Sequence, residues 1–271
     1  MQFPDINPTM LRFHLFGMEL NIQWYGFFYV LSFIIGYVFY RQMLKIKGVK
    51  ITRDQYEGII FSVMLGVVLG GRLGYVLFYN LPHYLRHPLE IFRIWEGGMS
   101  FHGGALGVII AGWIYLKKQK LNFFRLADPM MPLVAIGLGL GRLGNFINAE
   151  LWGNVTKLPW GIIFPGAGPD PRHPTQLYEL LLEGLVLFVV CFILLKRKLK
   201  DGIVFWTFIG LYGIFRFLIE FVRVPDDLDL YNKYGFLFGF MTIGQILSFL
   251  MIVAAAVGIW LIQRKKPEVK A

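Results

Sequence analysis

Seven apolar segments, each about as long as a membrane-spanning helix, dominate this chain of 271 residues. A helix needs ~20 consecutive, mostly apolar residues to cross the hydrocarbon core of a bilayer. Only 16% of the residues are charged, against roughly 25% in typical soluble domains. The sequence therefore predicts an all-α integral membrane protein with seven transmembrane helices in a single polytopic domain, 1–271. The predicted spans are 20–40, 57–79, 98–116, 128–147, 176–195, 202–222 and 243–262.

The positions of the basic residues predict how the chain is oriented. Seventeen of the 27 Lys and Arg residues follow the first, third, fifth and seventh spans, and seven lie on the opposite side. Because cytoplasmic loops are enriched in Lys and Arg, the N-terminus is predicted outside, in the periplasm, and the C-terminus in the cytoplasm. The net charge of +10 then requires no nucleic-acid partner. The periplasmic segments 80–97 and 148–175 are candidates for a head or gate.

The three remaining basic residues are arginines inside predicted spans, namely Arg72, Arg142 and Arg216. An ionised side chain at bilayer depth is costly unless it is paired or faces water, so such residues are functional candidates. A structural ion pair is the alternative, and Arg216 with Glu220 has the i, i+4 spacing of such a pair. Arg223, one turn further on, is expected to snorkel to the outer interface.

Polar side chains of several spans are predicted at one depth, near the outer ends of the helices. Tyr25 and His102 begin two spans at that depth, and Tyr212 shares a helix face with Arg216 and Glu220. A transport pathway would instead place polar groups through the whole thickness of the membrane. The pattern therefore indicates a pocket that opens to the periplasmic side.

The fourth predicted span combines glycines with polar residues. The four-residue spacing of Gly137 and Gly141 favours close approach of another helix. Arg142 is followed on the same segment by Asn145, Asn148 and Glu150.

Guanidinium groups bind phosphate through several charge-assisted hydrogen bonds. Arginines just below the outer headgroup layer therefore indicate an anionic phospholipid ligand, and nearby His, Tyr and carboxylate groups provide acid–base capacity. Metal-binding and nucleotide-binding motifs are not recognised in the sequence, so neither a metal nor a cofactor is expected. These residues indicate a membrane enzyme or carrier that acts on phospholipid headgroups. A phospholipid or small-anion transporter is the alternative, and a lipid-binding scaffold is a third reading.

Six motifs resemble those of the phosphatidylglycerol:prolipoprotein diacylglyceryl transferase family, and the resemblance covers most of the chain. The motifs are WYG at 24–26, GGRLGY at 70–75, GGMSFHGG at 97–104, GRLGNFINAELWG at 141–153, HPTQLYE at 173–179 and YGIFRFLIE at 212–220.

The resemblance implies an enzyme of the bacterial inner membrane that catalyses the first step of lipoprotein maturation. Such an enzyme transfers the diacylglyceryl group of phosphatidylglycerol to the lipobox cysteine thiol in the signal peptide of a preprolipoprotein, and releases glycerol 1-phosphate. It also implies residue roles. Arg142 and Arg216 would hold the headgroup, completed by Asn145, Glu150 and Gly153.

His102, Tyr212 and Arg216 would serve the chemistry, with Tyr25 and Glu220 in support, and Arg72 is placed among the substrate-binding candidates by its depth. Whether His102 is the general base or a hydrogen-bond partner stays open at this level. The predicted partners are phosphatidylglycerol, the preprolipoprotein and the lipid bilayer.

Overall fold

The computed structural model describes residues 1–15, 18–225, 236 and 240–264. Within this part of the chain, helices occupy all seven predicted spans. Their bounds are α1 Trp24–Lys47, α2 Arg53–Phe78, α4 Phe101–Lys118, α5 Phe123–Ile147, α6 Thr175–Lys196, α7 Ile203–Ile219 and α8 Ile243–Arg264, with a short α3 at Leu81–Arg86.

Five of these helices are long and apolar enough to cross a membrane, as judged by length and composition over the described residues. They are α1, α2, α5, α6 and α8, whereas α7 is an apolar helix of 17 residues. The protein is thus a mostly helical membrane protein. Seven crossings and the orientation of the termini stay predictions, and Lys265, Lys266 and Lys270 of the last basic cluster lie outside the described residues.

An antiparallel β-hairpin precedes the first helix, which the all-α prediction did not include. β1 (Thr9–Leu15) pairs with β2 (Met18–Gln23), and Phe13 lies opposite Leu20. Helix α1 therefore begins at Trp24 rather than near residue 20. The start of the apolar run was misassigned because β2 itself carries alternating apolar residues, the pattern of a half-buried strand.

The chain forms two compact units, residues 1–48 with 127–271 and residues 49–126. In the first unit, α5 and α6 approach closely at Gly139 and Gly184. A Cβ on Gly184 would lie 2.8 Å from Gly139 Cα. The predicted helix contact is absent at Gly141, where a Cβ would meet nothing within 4 Å, whereas a Cβ on Gly137 would lie 3.6 Å from Ser32 Cβ on α1. A single polytopic domain stays a prediction.

A buried carboxylate, Asp128 on α5, links the end of α1 to the start of α7. Asp128 accepts hydrogen bonds from the backbone N–H groups of Gly202 and Phe205 at the start of α7, each at 2.9 Å. Lys47 at the end of α1 donates to Asp128 at 2.8 Å. The positive end of α7 and one ammonium group thereby neutralise a carboxylate that is shielded from solvent.

In the second unit, α2 and α4 pack through glycine faces. A Cβ on Gly66 would lie 2.6 Å from the carbonyl oxygen of Gly107, and one on Gly74 would lie 2.7 Å from Gly103 Cα. Small residues let two helix backbones come together where larger side chains would hold them apart.

The two segments predicted as a head or gate consist of short helical turns in one case and of turns with isolated β-bridges in the other. Segment 80–97 holds α3 and 3-10 turns at Pro88–Phe92 and Ile94–Glu96. Segment 148–175 is held by isolated β-bridges and has a small core of Ile162, Phe164 and Ala167. A periplasmic head or gate stays a prediction.

Candidate active site

Charged side chains from three parts of the first unit meet between its apolar helices. They are three arginines and three glutamates, so their formal charges cancel. This arginine–glutamate cluster consists of Arg142, Glu179, Glu183, Arg216, Glu220 and Arg223.

Glu179 is the residue that all three arginines face. Its Oε1 lies 2.7 Å from Arg216 Nη1 and 3.9 Å from Arg223 Nε. Its Oε2 lies 3.2 Å from Arg142 Nε. Glu183, one turn further along α6, adds a longer contact of 3.5 Å to Arg142 Nη2. The side chains of both glutamates are fully buried, so the arginines provide the positive charge that burial of carboxylates requires.

The predicted ion pair between Arg216 and Glu220 is confirmed. Arg216 Nη2 lies 2.8 Å from Glu220 Oε2, and Glu220 Oε1 accepts a hydrogen bond from the Thr242 hydroxyl at 3.0 Å. Arg216 therefore takes part in two ion pairs, one within its own helical segment and one with α6.

The prediction that Arg223 snorkels to the outer interface is wrong. Its side chain is only 4% exposed, and it faces Glu179 from the turn that follows α7. A neighbouring buried carboxylate stabilises the guanidinium more than the interface would, because desolvated charges require a partner.

The arginines are more accessible than the carboxylates they pair with. The side chains of Arg142 and Arg216 are 17% and 13% exposed, whereas those of Glu179 and Glu183 are 0% exposed. An anion that approaches the cluster therefore meets guanidinium groups first.

Two tyrosines of the sequence prediction lie in the first unit as well. Tyr212 is buried and lies close enough to Arg142, Arg216 and Glu183 to interact with them electrostatically. The ring of Tyr25 packs over Gly144, where a Cβ would come within 2.9 Å of Tyr25 Cδ2.

The end of α5 places two further candidates next to each other. The Asn145 amide donates to Glu150 Oε1 at 2.8 Å, and the backbone N–H of Glu150 donates to the Asn145 carbonyl at 3.1 Å. The Asn148 amide contacts the same Glu150 oxygen at 3.3 Å. Asn145 is buried and Glu150 is exposed, so the pair runs from the interior of this unit to its surface.

Gly153 stands where two backbone segments cross. It forms a β-bridge with Arg223, and its N–H donates to the carbonyl of His173 at 2.9 Å. A Cβ at this position would lie 2.7 Å from His173 Cβ and 2.8 Å from Thr175 Cγ2. Glycine here lets the segment that carries Arg223 lie against segment 148–175. Partial burial lowers the pKa of the neighbouring His173 imidazole below its usual value.

Arg72 lies in the second unit, and its guanidinium is directed at backbone carbonyls. Its Nε donates to Ile91 at 2.8 Å, Nη2 to Glu90 at 2.6 Å, and Nη1 to Gly97 and Gly98 at 2.7 and 3.2 Å. Its side chain is buried and lies over the Tyr84 ring. These contacts direct its donors at segment 90–98 and give Arg72 a role in holding that segment, and its role in substrate binding stays a prediction.

His102 also lies in the second unit, on the first turn of α4. The Ser100 hydroxyl caps that helix by accepting from the Gly103 N–H at 3.2 Å, and the Ser100 N–H donates to the Gly71 carbonyl at 2.8 Å. The imidazole-bearing residue is exposed. Its backbone position is thus tied to the same helix that carries Arg72.

The roles of Glu179 and Glu183 and the inward position of Arg223 were not predicted from the sequence. The two glutamates are separated by four residues in a predicted span, and carboxylates at bilayer depth are as informative as arginines. Applied to acidic residues, the same criterion would have identified both. Across the described residues, there is no group of three or more His, Cys, Asp or Glu placed to hold a metal ion.

Comparisons with known proteins agree with the resemblance seen in the motifs. The family described as prolipoprotein diacylglyceryl transferase matches residues 12–261. A phosphatidylglycerol–prolipoprotein diacylglyceryl transferase of Geobacter sulfurreducens is 51% identical over 266 residues, which cover 98% of this chain and 99% of the relative.

Proteins with the same name show similar agreement in two other bacteria. The Vibrio parahaemolyticus protein is 47% identical and covers 93% of this chain and 89% of its own length. The Pseudomonas paraeruginosa protein is 44% identical and covers 100% of this chain and 99% of its own length.

Proposed function

The chain belongs to the prolipoprotein diacylglyceryl transferase family, and we propose that its arginine–glutamate cluster is where phosphatidylglycerol is held for reaction. The protein is a transferase that moves the diacylglyceryl group of phosphatidylglycerol to a prolipoprotein, the first step of lipoprotein maturation.

One observation supports the headgroup site above all, namely the exposure gradient across the cluster. Arg142 and Arg216 are partly exposed in front of carboxylates that are not. Guanidinium groups keep their charge in an apolar setting and offer planar, forked donors that match phosphate oxygens. The buried glutamates hold the arginines without presenting negative charge to the incoming headgroup.

The reaction begins with the lipobox cysteine thiol of the prolipoprotein. Its thiolate attacks the diacylglyceryl carbon that bears the phosphate ester, so a carbon–sulfur bond forms as the carbon–oxygen bond breaks. Glycerol 1-phosphate leaves with the electron pair of the broken bond. The departing phosphate gains negative charge, so guanidinium groups already directed at it stabilise the transition state more than the ground state.

The thiol must lose a proton before or during attack, because the thiolate is the nucleophile. We infer from the family resemblance that His102 takes that proton, since an imidazole accepts protons near neutral pH. The resemblance also assigns Tyr212 to the chemistry, and its buried side chain interacts electrostatically with Arg142 and Arg216. Asn145 and Glu150, with Tyr25, line the approach along the end of α5. Cys191 takes no part, because it is buried and the reacting thiol belongs to the substrate.

The site opens toward the periplasmic side of the bacterial inner membrane. This location rests on the excess of Lys and Arg in the predicted cytoplasmic connections and on the depth of Arg142 and Arg216 near the predicted outer helix ends.

The decisive experiment combines the purified protein, phosphatidylglycerol vesicles and a peptide that carries a lipobox cysteine. Mass spectrometry should show a thioether-linked diacylglyceryl peptide together with an equal amount of glycerol 1-phosphate. Transport of lipid or of an anion across the vesicle membrane without product would indicate a transporter instead. Binding of phosphatidylglycerol without product would indicate a scaffold. Arg142→Ala and Arg216→Ala should both lose the product, and normal product from either would exclude the headgroup role.

A further inference from the structure

We propose that Glu179 is a positioning residue that sets the separation of Arg142 and Arg216 before phosphatidylglycerol binds. The inference rests on the proposed headgroup site and adds to it a residue that never touches the lipid. Glu179 is fully buried, so it acts through the two guanidinium groups and not on the substrate.

The contacts of Glu179 are divided between its two oxygens. Oε1 lies 2.7 Å from Arg216 Nη1 on α7, and Oε2 lies 3.2 Å from Arg142 Nε on α5. One carboxylate on α6 therefore bridges two helices that each contribute one cation. Of the two headgroup arginines, which are both described, Glu183 lies within ion-pair distance of Arg142 only, at 3.5 Å, and Glu220 lies within ion-pair distance of Arg216 only, at 2.8 Å.

Such a bridge has a specific physical effect. Two guanidinium groups repel each other, and the repulsion is strong where the effective dielectric constant is low. Each arginine also has a long side chain with many rotamers, whose freedom must be lost when the headgroup binds. A carboxylate fixed between the two guanidinium groups offsets their repulsion and restricts their rotamers before the ligand binds. Such preorganisation favours a site that stabilises charge.

The backbone of α6 holds Glu179 in place for this role. Residues Leu180–Val186 form a π-helical segment directly after it, and π-helical turns are frequent at functional sites. Gly184 in that segment lies against the backbone of Gly139. Gly139 is three residues before Arg142, so the contact brings the carboxylate of α6 and the guanidinium of α5 together.

The test compares two variants that distinguish the effect of the charge of the residue-179 side chain from the effect of its length. Glu179→Gln keeps the length of the side chain but removes the charge, and Glu179→Asp keeps the charge but is too short to reach both arginines. Steady-state kinetics are measured with each substrate varied in turn. Glu57→Gln is the matched control, because Glu57 is an exposed residue in a surface pair with Arg53.

Both variants are expected to raise KM for phosphatidylglycerol at least tenfold, with KM for the lipobox peptide unchanged. The control should match the wild type in both. If Glu179→Asp behaves as the wild type while Glu179→Gln does not, charge balance alone matters and the positioning role is overturned. It is equally overturned if both variants keep a normal KM for the lipid, or if the two KM values rise together.

A loss of folded protein is addressed by a charge-compensated variant. Glu179→Gln combined with Arg223→Gln removes one charge of each sign, so the cluster stays neutral. It is expected to fold and still to show the raised KM for phosphatidylglycerol, and a normal KM would overturn the proposal. Arg142→Ala and Arg216→Ala run alongside. If they keep activity, the headgroup site itself is wrong, and if only the Glu179 variants keep a normal KM, the positioning role alone is wrong.

Discussion

At the scale of single residues, the cluster shows how an apolar protein accommodates ionised groups. Arg142 and Arg216 are each within ion-pair distance of Glu179, so neither cation is buried alone. Removing one partner of such a pair leaves an uncompensated buried charge, which is strongly destabilising. Variants at these positions therefore require a measure of folded protein beside every measure of activity.

The proposed proton acceptor is a second residue-scale feature. Replacement of His102 by Gln is expected to lower the rate about 10²–10⁴-fold, the usual contribution of a general base. The fall in wild-type rate at acidic pH, where an imidazole is protonated, should also disappear. His14→Gln is the control, since His14 lies exposed in the hairpin. An unchanged rate and pH profile for His102→Gln would exclude the base assignment.

At the scale of helices, glycine contacts decide which side chains meet. Gly139 and Gly184 bring α5 against α6 at the level of the cluster, and Gly66 and Gly74 bring α2 against α4. Without a Cβ the backbones approach closely, and charged side chains one turn away come within ion-pair distance. The same residue type at Gly141 has no such contact. A glycine motif thus indicates that two helices approach closely, but it does not identify the glycine at which they do so.

Gly184→Ala tests this view of the α5–α6 contact. The added methyl would lie 2.8 Å from Gly139 Cα, and overpacking of this kind costs about 1–3 kcal/mol. A lower thermal unfolding temperature in detergent and reduced transferase activity are expected. Gly141→Ala is the matched control on α5 and should be at least as stable as the wild type, because alanine is the better helix former. Equal stability of both variants would show that the contact is not tight.

Arg72 gives a second prediction at this scale. Arg72→Ala removes the donors for the carbonyls of Glu90, Ile91 and Gly97, and a hydrogen bond that involves a charged group contributes about 1.5–3 kcal/mol. A clear loss of thermal stability is expected, with KM for phosphatidylglycerol unchanged in the protein that remains folded.

Arg53→Ala serves as the control for Arg72→Ala, because a surface ion pair contributes only about 0–1 kcal/mol and Arg53 is well exposed. A raised KM for the lipid without loss of stability would restore Arg72 as a headgroup ligand.

At the scale of the whole molecule, the distribution of charge predicts the direction of insertion. The seventeen basic residues on one predicted side outnumber the seven on the other, and this bias orients membrane proteins. The proposed active site is on the periplasmic side only if that orientation holds.

Cysteine labelling in intact cells tests the orientation. Cys191 is buried, so Cys191→Ala provides a background without a native thiol. Asp5→Cys near the N-terminus should react with a membrane-impermeant reagent, and Gln119→Cys in the basic connection after the third predicted span should react only after the cells are opened. The reverse pattern would contradict the predicted orientation and with it the periplasmic site.

Much of the fold could be predicted because the relevant signals are local. Twenty apolar residues in a row form a helix in a membrane whatever surrounds them, since the backbone must satisfy its own hydrogen bonds there. The pair of Arg216 and Glu220 follows from helix geometry alone. The hairpin at Thr9–Leu15 and Met18–Gln23 was not predicted, because the short alternating stretch of β2 adjoins the long apolar run of α1 and was assigned to it.

The helical segments, the family and the arginines of the arginine–glutamate cluster could all be identified from the sequence alone. The partners of those arginines became known only from the folded arrangement of the helices. Arg72 and Arg142 occupy the same four-residue motif, Gly-Arg-Leu-Gly, yet one donates to loop carbonyls and the other faces Glu179 and Glu183. The reason is physical. A guanidinium in an apolar interior requires compensation, but its partner comes from distant segments, and helix packing determines which of those segments lies within reach.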